Sequence, residues 1–326
     1  MRTPAEWEPH ERTLMGWPCR SELWGHTMEQ ARADYAAVAN AIAAFEPVTM
    51  IANPGSDSAA ARAACAAGVE IVEFALDDSW LRDCGPIYIY EDDGRRVAVH
   101  FRFNAWGEKF SPWDHDAEVG RLIAEHLGDE VRSSEIVLEG GSILTDGQGT
   151  LLTTEQCLLA PNRNPALSRD EIEAELRTTL AVERIVWLGQ GLLEDRDTDG
   201  HVDLVAAFSA PGQVLLQTVD EENPNYAACE ENRSRLVAAG LEVTVLPHLP
   251  YAEVAGEAIA AGYLNFYICN GAVIVPVAGA DTDAHALEII ASGYPTREVV
   301  PVPGLVIAFG GGGPHCITQQ VPVRDA

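Results

Sequence analysis

Residues 197–203 read Asp-Thr-Asp-Gly-His-Val-Asp, a polar turn that lies beside an apolar strand pattern. Four further polar turns beside apolar strands occur along the chain, and the residues that mark all five are Asp83, Ser142, His201, Asn265 and Cys316. Their successive separations are 59, 59, 64 and 51 residues. A period near 60 predicts a structural unit repeated about five times, and a ring of such units would direct the turns toward one centre. The spacing alone leaves the ring open. Because ten residues follow Cys316, the last unit would need a strand from elsewhere, such as the N-terminal segment.

Between the turns, helices alternate with short apolar strands. Four two-strand patterns surround the turn pairs 93–94, 146–147, 211–212 and 270–271, each of which ends in glycine, and they predict hairpins. Ser168 and Glu171 have the spacing of a capping box, which predicts the start of a helix that reaches Leu180. Helices are also predicted over residues 28–45, 58–67, 118–126, 225–238 and 285–292, and further strands over 48–52 and 69–74. The alternation predicts an α/β fold, in one domain that spans residues 1–326.

Composition excludes several functional classes. The chain has 50 acidic and 21 basic residues, for a formal net charge of −29. This charge argues against nucleic acid and anionic membranes as partners and suits a small cation, although solubility or adaptation to salt is the preferred explanation. No apolar stretch reaches the roughly 18 to 20 residues of a membrane span, and the N-terminus carries no signal region, so we expect a cytoplasmic protein. The seven cysteines are scattered without CxxC spacing, which argues against a disulfide scaffold and the common zinc signatures.

Cys316 is the cysteine that stands out, because four glycines (310–313) and Pro314 precede it. Glycines let the backbone approach a ligand, and neighbours of this kind give a side chain little cover. A thiol becomes a strong nucleophile where nearby cations or helix ends favour the thiolate. The alternative is a structural cysteine that follows a flexible turn. His315 is interpreted as structural, because adjacent residues of a strand face opposite sides.

His201 and Asp203 are two residues apart and would share one face of a strand. A histidine and a carboxylate at one site suit acid–base chemistry on a charged substrate. The alternatives are a polar turn that caps a strand, or a calcium loop. The calcium loop is disfavoured because Ala206 stands where an EF-hand has its last glutamate.

Asp83 follows Trp80 and precedes a Gly-Pro turn. Two ionised carboxylates can hold the two sides of a planar guanidinium, which has donors only, and a tryptophan face can lie along an alkyl chain or a cation. An ion pair of Asp83 with Arg82, or an Asx turn, is the alternative. Asn104, Trp106 and the Glu139-Gly-Gly-Ser142 turn add polar and aromatic groups.

With these motifs in order, the chain resembles the agmatine deiminases, in the group that includes bacterial peptidylarginine deiminases within the pentein superfamily. The segments that carry the resemblance span nearly the whole chain; they are residues 5–10, 78–86, 103–107, 138–143, 151–158, 162–165, 197–203, 263–267 and 315–320. The resemblance implies a five-bladed α/β propeller of pseudo-fivefold ββαβ repeats, which agrees with the spacing of the turns.

The resemblance also implies roles. Cys316 would attack the guanidinium carbon, Asp83 and Asp203 would bind guanidinium nitrogens, and His201 would protonate the leaving ammonia and then activate water against a covalent thiouronium intermediate. The further substrate-binding residues implied are Trp80, Asn104, Trp106, Glu139, Asp197, Asp199 and Asn265, of which Asp197 and Asp199 would hold the distal amine. No cofactor and no metal are implied.

The leading hypothesis is hydrolysis of agmatine to N-carbamoylputrescine and ammonia, a step of putrescine biosynthesis. The chain is shorter than these enzymes usually are, and positions 143, 144, 204 and 314 depart from the pattern, which leaves the substrate's tail open. A deiminase of another guanidine (free or peptidyl arginine, or an alkylguanidine) is the nearest alternative, and Arg82 or Arg102 could bind the carboxylate of an arginine. An amidinotransferase, a non-catalytic binding protein and a metallohydrolase built on His201, Asp203 and Cys316 are the others. A homo-oligomer is left open.

Overall fold

The computed structural model describes residues 1–324, and four of its six sheets share one connectivity. In each of four sheets, two strands form an antiparallel hairpin, a helix follows, and a third strand then pairs in parallel with the second. This is the ββαβ order predicted for the repeat, and the α/β fold class is confirmed. Closure of the units into a ring stays a prediction.

The first unit is assembled from both ends of the chain. Its strands are β1 (His10–Gly16), β2 (Val48–Ala52), β3 (Val69–Glu73) and β18 (Thr318–Pro322), and its helices are α1 (Ser21–Trp24), α2 (Met28–Ile42) and α3 (Ser56–Ala64). Strand β18 pairs antiparallel with β1, which pairs in parallel with β2. The prediction that the last unit completes itself with the N-terminal segment is therefore confirmed.

The other elements follow in chain order. The second unit holds α4 (Leu81–Cys84), β4 (Ile87–Tyr90), β5 (Arg96–Arg102), α5 (Ala105–Glu108), α6 (Asp116–Leu127) and β6 (Glu130–Val137). The third holds β7 (Ile143–Thr145), β8 (Thr150–Thr154), α7 (Glu155–Leu158), α8 (Arg169–Leu180) and β9 (Arg184–Leu188). The fourth holds β10 (Ala206–Ala210), β11 (Gln213–Gln217), α9 (Tyr226–Ala238) and β12 (Glu242–Leu246), and a separate hairpin, β13 (Tyr251–Val254) and β14 (Glu257–Ala260), comes next. The fifth holds β15 (Tyr267–Cys269), β16 (Ala272–Val277), α10 (Asp283–Gly293), β17 (Glu298–Pro303) and α11 (Leu305–Phe309).

Local chemistry explains why the predicted elements form. The glycine of each predicted hairpin turn has a positive φ, between 72° and 84°, which glycine adopts without steric cost. Ser168 and Glu171 form the predicted capping box at the start of α8. Ile172, Leu176 and Leu180 lie on one face of that helix and are buried in a core cluster that contains strand residues of the second and third units.

The structure also differs from the predictions. The third strand of each of the last four units (β6, β9, β12 and β17) and the β13–β14 hairpin were not predicted. His201 and Asp203 do not lie on a strand: a single 3₁₀ turn, Val202–Leu204, takes the place of the predicted strand start. Within residues 1–324, no helix combines the length and the apolar character needed to cross a membrane.

Candidate active site

The five polar turns meet at one buried place. The 3₁₀ turn at Gly140–Ser142 contacts both helix α4 and the 3₁₀ turn at Val202–Leu204. As a result, Asp83, His201 and Asp203, together with Asn265 and Cys316, are all at most 5% exposed and lie around a common centre. A cavity leads to this centre, and its lining residues are Leu23, Asp78, Trp80, Asp83, Trp106, Phe110, Asp197, Thr198, Gly310, Gly311 and Cys316.

Gly141 shows how closely the catalytic candidates approach one another. A Cβ atom at this position would lie 2.7 Å from His201 Nδ1, 2.8 Å from Asp83 Oδ1 and 2.9 Å from Asp203 Oδ2. Any side chain here would displace all three groups. The second glycine of the Glu139-Gly-Gly-Ser142 motif is therefore required by the site itself rather than by the backbone conformation.

Cys316 lies in the turn before β18, not on a strand, and is 3% exposed, so its neighbours cover it more than the four glycines suggested. Asn265 contacts it twice: Nδ2 lies 3.1 Å from Sγ, and Oδ1 accepts the Cys316 backbone N–H. Burial and then the carboxylates of Asp203 and Asp83 raise the pKa of the thiol well above its usual value, and the contacts with Gly313 and Asn265 oppose this only in part. The pocket without substrate therefore favours the neutral thiol.

Asp83 is held by two donors. Trp106 Nε1–H donates to Oδ2 at 2.9 Å, and Gly141 N–H donates to Oδ1 at 3.0 Å. Burial raises the pKa of Asp83 to about 6, and the charges of Asp203 and Glu139 add to the rise, whereas His201 lowers it. The carboxylate is thus ionised at neutral pH but protonates in mildly acidic solution.

Asp203 contacts both His315 and the nucleophile through one oxygen, Oδ2, which lies 3.5 Å from Cys316 Sγ. Its Oδ2 lies 2.8 Å from His315 Nδ1, and His315 Nε2 lies 2.9 Å from Glu6 Oε1. Burial alone would raise the pKa of Asp203, but the hydrogen bond and charge of His315 outweigh it and lower the pKa. Oδ1 of Asp203 is buried and has no hydrogen-bond partner in residues 1–324. This leaves an ionised acceptor ready for a donor that the substrate brings.

His201 is fully buried, and both of its ring nitrogens lack hydrogen-bond partners among the described residues. Nδ1 is 3.8 Å from Asp83 Oδ1, and Nε2 is 4.0 Å from Glu139 Oε2. Glu139 is itself fixed by Arg163, whose Nε donates to Oε1 at 2.6 Å. An imidazole with two free nitrogens between carboxylates can carry protons to and from a reacting group.

Four consecutive residues with positive φ angles, Ala105, Trp106, Gly107 and Glu108, form a left-handed turn that points Trp106 at Asp83. Only Gly107 adopts such angles freely, so the other three hold a strained backbone. Asn104 supports the turn, because its Oδ1 accepts the Gly107 N–H and its Nδ2 donates to the carbonyl of Asn162. Sequence analysis placed Asn104 in the pocket lining, whereas the structure places it behind the turn.

The acidic loop before His201 carries two carboxylates with different surroundings, those of Asp197 and Asp199. Asp199 accepts hydrogen bonds from Lys109, Asn162 and Arg163. Asp197 lines the cavity, and no hydrogen bond to its carboxylate is found in the described part of the chain. Burial and then the charge of Asp195 raise the pKa of Asp197. Of the two acids expected to hold an amine, Asp197 alone faces the cavity.

Glu139, Cys157 and His201 place ligand-type atoms within 4.8 Å of one another, the one such cluster within residues 1–324. The set considered for a metallohydrolase was different. It contained Cys316 instead of Cys157, and Asp203 instead of Glu139. Arg163 occupies the other oxygen of Glu139.

The sequence patterns did not assign Glu6, Lys109 and Arg163 to the site. Each of these residues contacts a site residue or the loop that carries one. Glu6 and Arg163 lie in the matched segments 5–10 and 162–165, and Arg163 is 4% exposed. Lys109 lies in no matched segment, but it is distinctive in the sequence because it is the one lysine in the chain. His315 was interpreted as structural, and it contacts Asp203 Oδ2, the oxygen that also lies 3.5 Å from Cys316 Sγ.

Comparisons with known proteins agree with this geometry. The model of the Porphyromonas-type peptidyl-arginine deiminase family matches residues 2–322. The agmatine deiminase of Stutzerimonas stutzeri (strain A1501) is 44% identical over 349 residues, which cover 98% of this chain and 95% of that protein. A solved structure of the agmatine deiminase of Enterococcus faecalis superimposes with a TM-score of 0.94 at 35% identity and covers 100% of this chain and 96% of its own. A Cys-to-Ser variant of the C. jejuni agmatine deiminase with substrate bound gives a TM-score of 0.93 at 28% identity, over 100% of this chain and 97% of its own.

Proposed function

The chain belongs to the Porphyromonas-type peptidyl-arginine deiminase family, and we propose that it hydrolyses agmatine to N-carbamoylputrescine and ammonia, with Cys316 as nucleophile. Agmatine deiminases are its relatives in sequence and in structure. This activity makes it a hydrolase of guanidino C–N bonds and places it in putrescine biosynthesis.

One observation carries the proposal for the reacting end. Sγ of Cys316 lies 3.5 Å from Asp203 Oδ2, and Asp83 lines the same cavity. The site thus offers carboxylate acceptors and a sulfur atom, and the free Oδ1 of Asp203 awaits a donor. A guanidinium group is planar and has donors only, so it satisfies both carboxylates while its carbon lies over the sulfur.

In the first half-reaction, the Cys316 thiolate adds to the guanidinium carbon. Asp83 and Asp203 hold the nitrogens and fix the approach of the carbon. His201 takes the proton of the thiol and gives it to the departing nitrogen, the C–N bond breaks, and ammonia leaves. The product of this step is an S-alkylthiouronium bound to Cys316.

In the second half-reaction, His201 accepts a proton from water, which adds to the same carbon. The C–S bond then breaks, the thiolate of Cys316 is restored, and the ureido product leaves. His201 lies close enough to Asp83 and Glu139 for these carboxylates to stabilise its positively charged form while it holds the proton.

Substrate binding itself favours the thiolate. The carboxylates that raise the pKa of Cys316 are the groups that a guanidinium neutralises. The cation therefore lowers the thiol pKa when it arrives, and the nucleophile forms where its target already lies.

The tail end favours agmatine over arginine. Asp197, a carboxylate, faces the cavity, and an ammonium group pairs with it whereas the carboxylate of arginine is repelled. Arg82 bonds to Glu6 and to the carbonyl of His315, and Arg102 is exposed. Within the described residues, neither arginine lines the cavity that leads to Cys316. Trp80 and Phe110 supply apolar walls for a four-carbon chain.

We further propose that the chain acts as a single catalytic domain in the cytoplasm, on a small cationic substrate, without nucleic acid or membrane partners and without a cofactor. Colorimetric ureido and ammonia assays on agmatine, arginine, a blocked arginyl peptide and short alkylguanidines test the function. Preference for agmatine is expected. Turnover of arginine alone would contradict the proposal that Asp197 binds the distal amine of agmatine.

A further inference from the structure

Lys109 is the one lysine among 21 basic residues, and it lies directly after the left-handed turn that carries Trp106. Its ammonium group donates three hydrogen bonds, to the carbonyl of Arg196 at 3.0 Å, the carbonyl of Asp197 at 2.8 Å and Asp199 Oδ1 at 2.7 Å. A lysine has three N–H donors, so all of them are used. All three acceptors belong to the acidic loop before His201.

The loop has a second clamp, which acts on its other half. Arg163 donates to the carbonyl of Thr198 and to Asp199. Arg163 thus fixes the part of the loop next to His201, whereas Lys109 holds the carbonyls of residues 196 and 197, beyond it. Within residues 1–324, Lys109 is the one side chain that hydrogen-bonds these two carbonyls. Lys109 thus holds the backbone that carries the Asp197 carboxylate.

The clamp also joins the two ends of the pocket. Trp106, three residues before Lys109, binds the Asp83 carboxylate with its indole N–H. The backbone between them is held in its strained form by Asn104. One short segment thus contacts the carboxylate at the guanidinium end and the loop at the tail end, and fixes the distance between them.

We propose that Lys109 is a positioning residue that sets the place of Asp197 and so determines selectivity for guanidines that carry a second cation at the far end of the chain. The inference rests on the proposed function, since it requires that Asp197 receive an amine. Lys109 itself touches no substrate. Its effect is on which guanidine is preferred, not on the chemistry at Cys316.

Charge and position predict opposite results, which makes the proposal testable. Lys109 is a cation close to the site of a dicationic substrate, so its charge alone repels agmatine. If charge were its only role, Lys109→Met would improve agmatine binding. If Lys109 positions Asp197, the same variant weakens agmatine binding because the loop carbonyls lose their donors.

The experiment compares agmatine with butylguanidine, which has the same guanidinium and four-carbon chain but no amine. For wild type, kcat/KM for agmatine should exceed that for butylguanidine. Lys109→Met should lower kcat/KM for agmatine about tenfold, mostly through KM, and change that for butylguanidine less than about twofold, as expected for the loss of charge-assisted hydrogen bonds remote from the chemistry. Arg121→Met is the matched control: it removes one cation from an exposed pair on α6 and should leave both substrates unchanged.

A double-mutant cycle with Asp197→Asn completes the test. In the Asp197→Asn background, Lys109→Met should have no further effect on agmatine, because there is no carboxylate left to position. An equal loss for both substrates would show a general structural role, and unchanged or improved agmatine selectivity would show a charge effect; either result overturns the proposal. Failure of the proposed function is distinct, because wild type would then not turn over agmatine at all.

Discussion

His315 Nδ1 lies 2.8 Å from Oδ2 of Asp203, the carboxylate that borders the nucleophile. On its other side, His315 lies 2.9 Å from Glu6, whose pKa is lowered to about 2: burial would raise it, but the charges of His315 and Arg82 prevail. The pKa of His315 is raised, since the two carboxylates outweigh burial and Arg82. The imidazole of His315 thus bridges two carboxylates and holds Oδ2 of Asp203 in place, while Oδ1 has no hydrogen-bond partner in residues 1–324.

The first prediction concerns the contact between His315 and Asp203. His315→Asn should lower kcat for agmatine about tenfold or more, because Asp203 loses the partner that keeps it oriented and ionised. Without His315, burial raises the pKa of Asp203, so protonation of Asp203 should add to that of Asp83 and make the acidic limb of the kcat/KM profile steeper. Glu6→Gln should have the same effect to a smaller extent. An acidic limb unchanged in both variants would contradict this role, and circular dichroism would confirm that both variants are folded.

The second prediction concerns the acidic limb of wild type. The folded pKa of Asp83 is raised to about 6, so the carboxylate is charged above that pH and neutral below it. Since a neutral Asp83 no longer attracts a guanidinium, kcat/KM for agmatine should fall as the pH is lowered through about 6. A profile that stays flat down to about pH 4.5, in protein that remains folded, would exclude Asp83 as a binding carboxylate.

Trp106→Phe tests the hydrogen bond to Asp83 directly. The variant keeps an aromatic ring but removes the N–H that lies 2.9 Å from Oδ2. Loss of a hydrogen bond to a charged group costs about 1.5–3 kcal/mol, so kcat/KM should fall by roughly tenfold to a hundredfold. The acidic limb should move upward in pH, because this bond lowers the pKa of Asp83. A lower kcat/KM without that shift would indicate a packing effect only.

Two glycines provide a matched pair for steric exclusion. Gly141→Ala would place a methyl group within 2.9 Å of three catalytic candidates, whereas Gly68→Ala meets nothing within 4 Å. Turnover should fall by about a hundredfold or more in the first variant, since displacement by about 1 Å suffices for such a loss. The second variant should keep wild-type activity. Near-normal turnover by Gly141→Ala would show that the three groups do not act together.

Sequence patterns predicted the parts of the fold that depend on local chemistry. Gly-ended hairpin turns and the Ser168–Glu171 capping box are set by residues close in sequence, and the structure contains them. The third strand of each later unit escaped prediction because its pairing partner lies beyond a helix. Arg184–Leu188 is such a strand: it pairs in parallel with β8, from which helices α7 and α8 separate it in the chain.

Sequence motifs predicted the residues at the centre of the site but not the residues that hold them in place. Asp83, His201, Asp203 and Cys316 occur in motifs of their own and converge as expected. The partners that hold them come from distant segments, as Glu6 does for His315 across 309 residues. Such contacts follow from the arrangement of the units, which no short stretch encodes. The strand expected for His201 and Asp203 was wrong for a related reason, because the turn of Val202–Leu204 is set by its contacts with neighbouring units.

The central claim is that Cys316 attacks the guanidinium carbon of agmatine. The most direct measurement is the simultaneous release of ammonia and N-carbamoylputrescine from agmatine by wild type and by Cys316→Ala, with mass spectrometry of the acid-quenched enzyme. The account predicts equal amounts of the two products, a protein adduct with the mass of the thiouronium in wild type, and neither products nor adduct in folded Cys316→Ala. Product release that persists in Cys316→Ala would contradict the account.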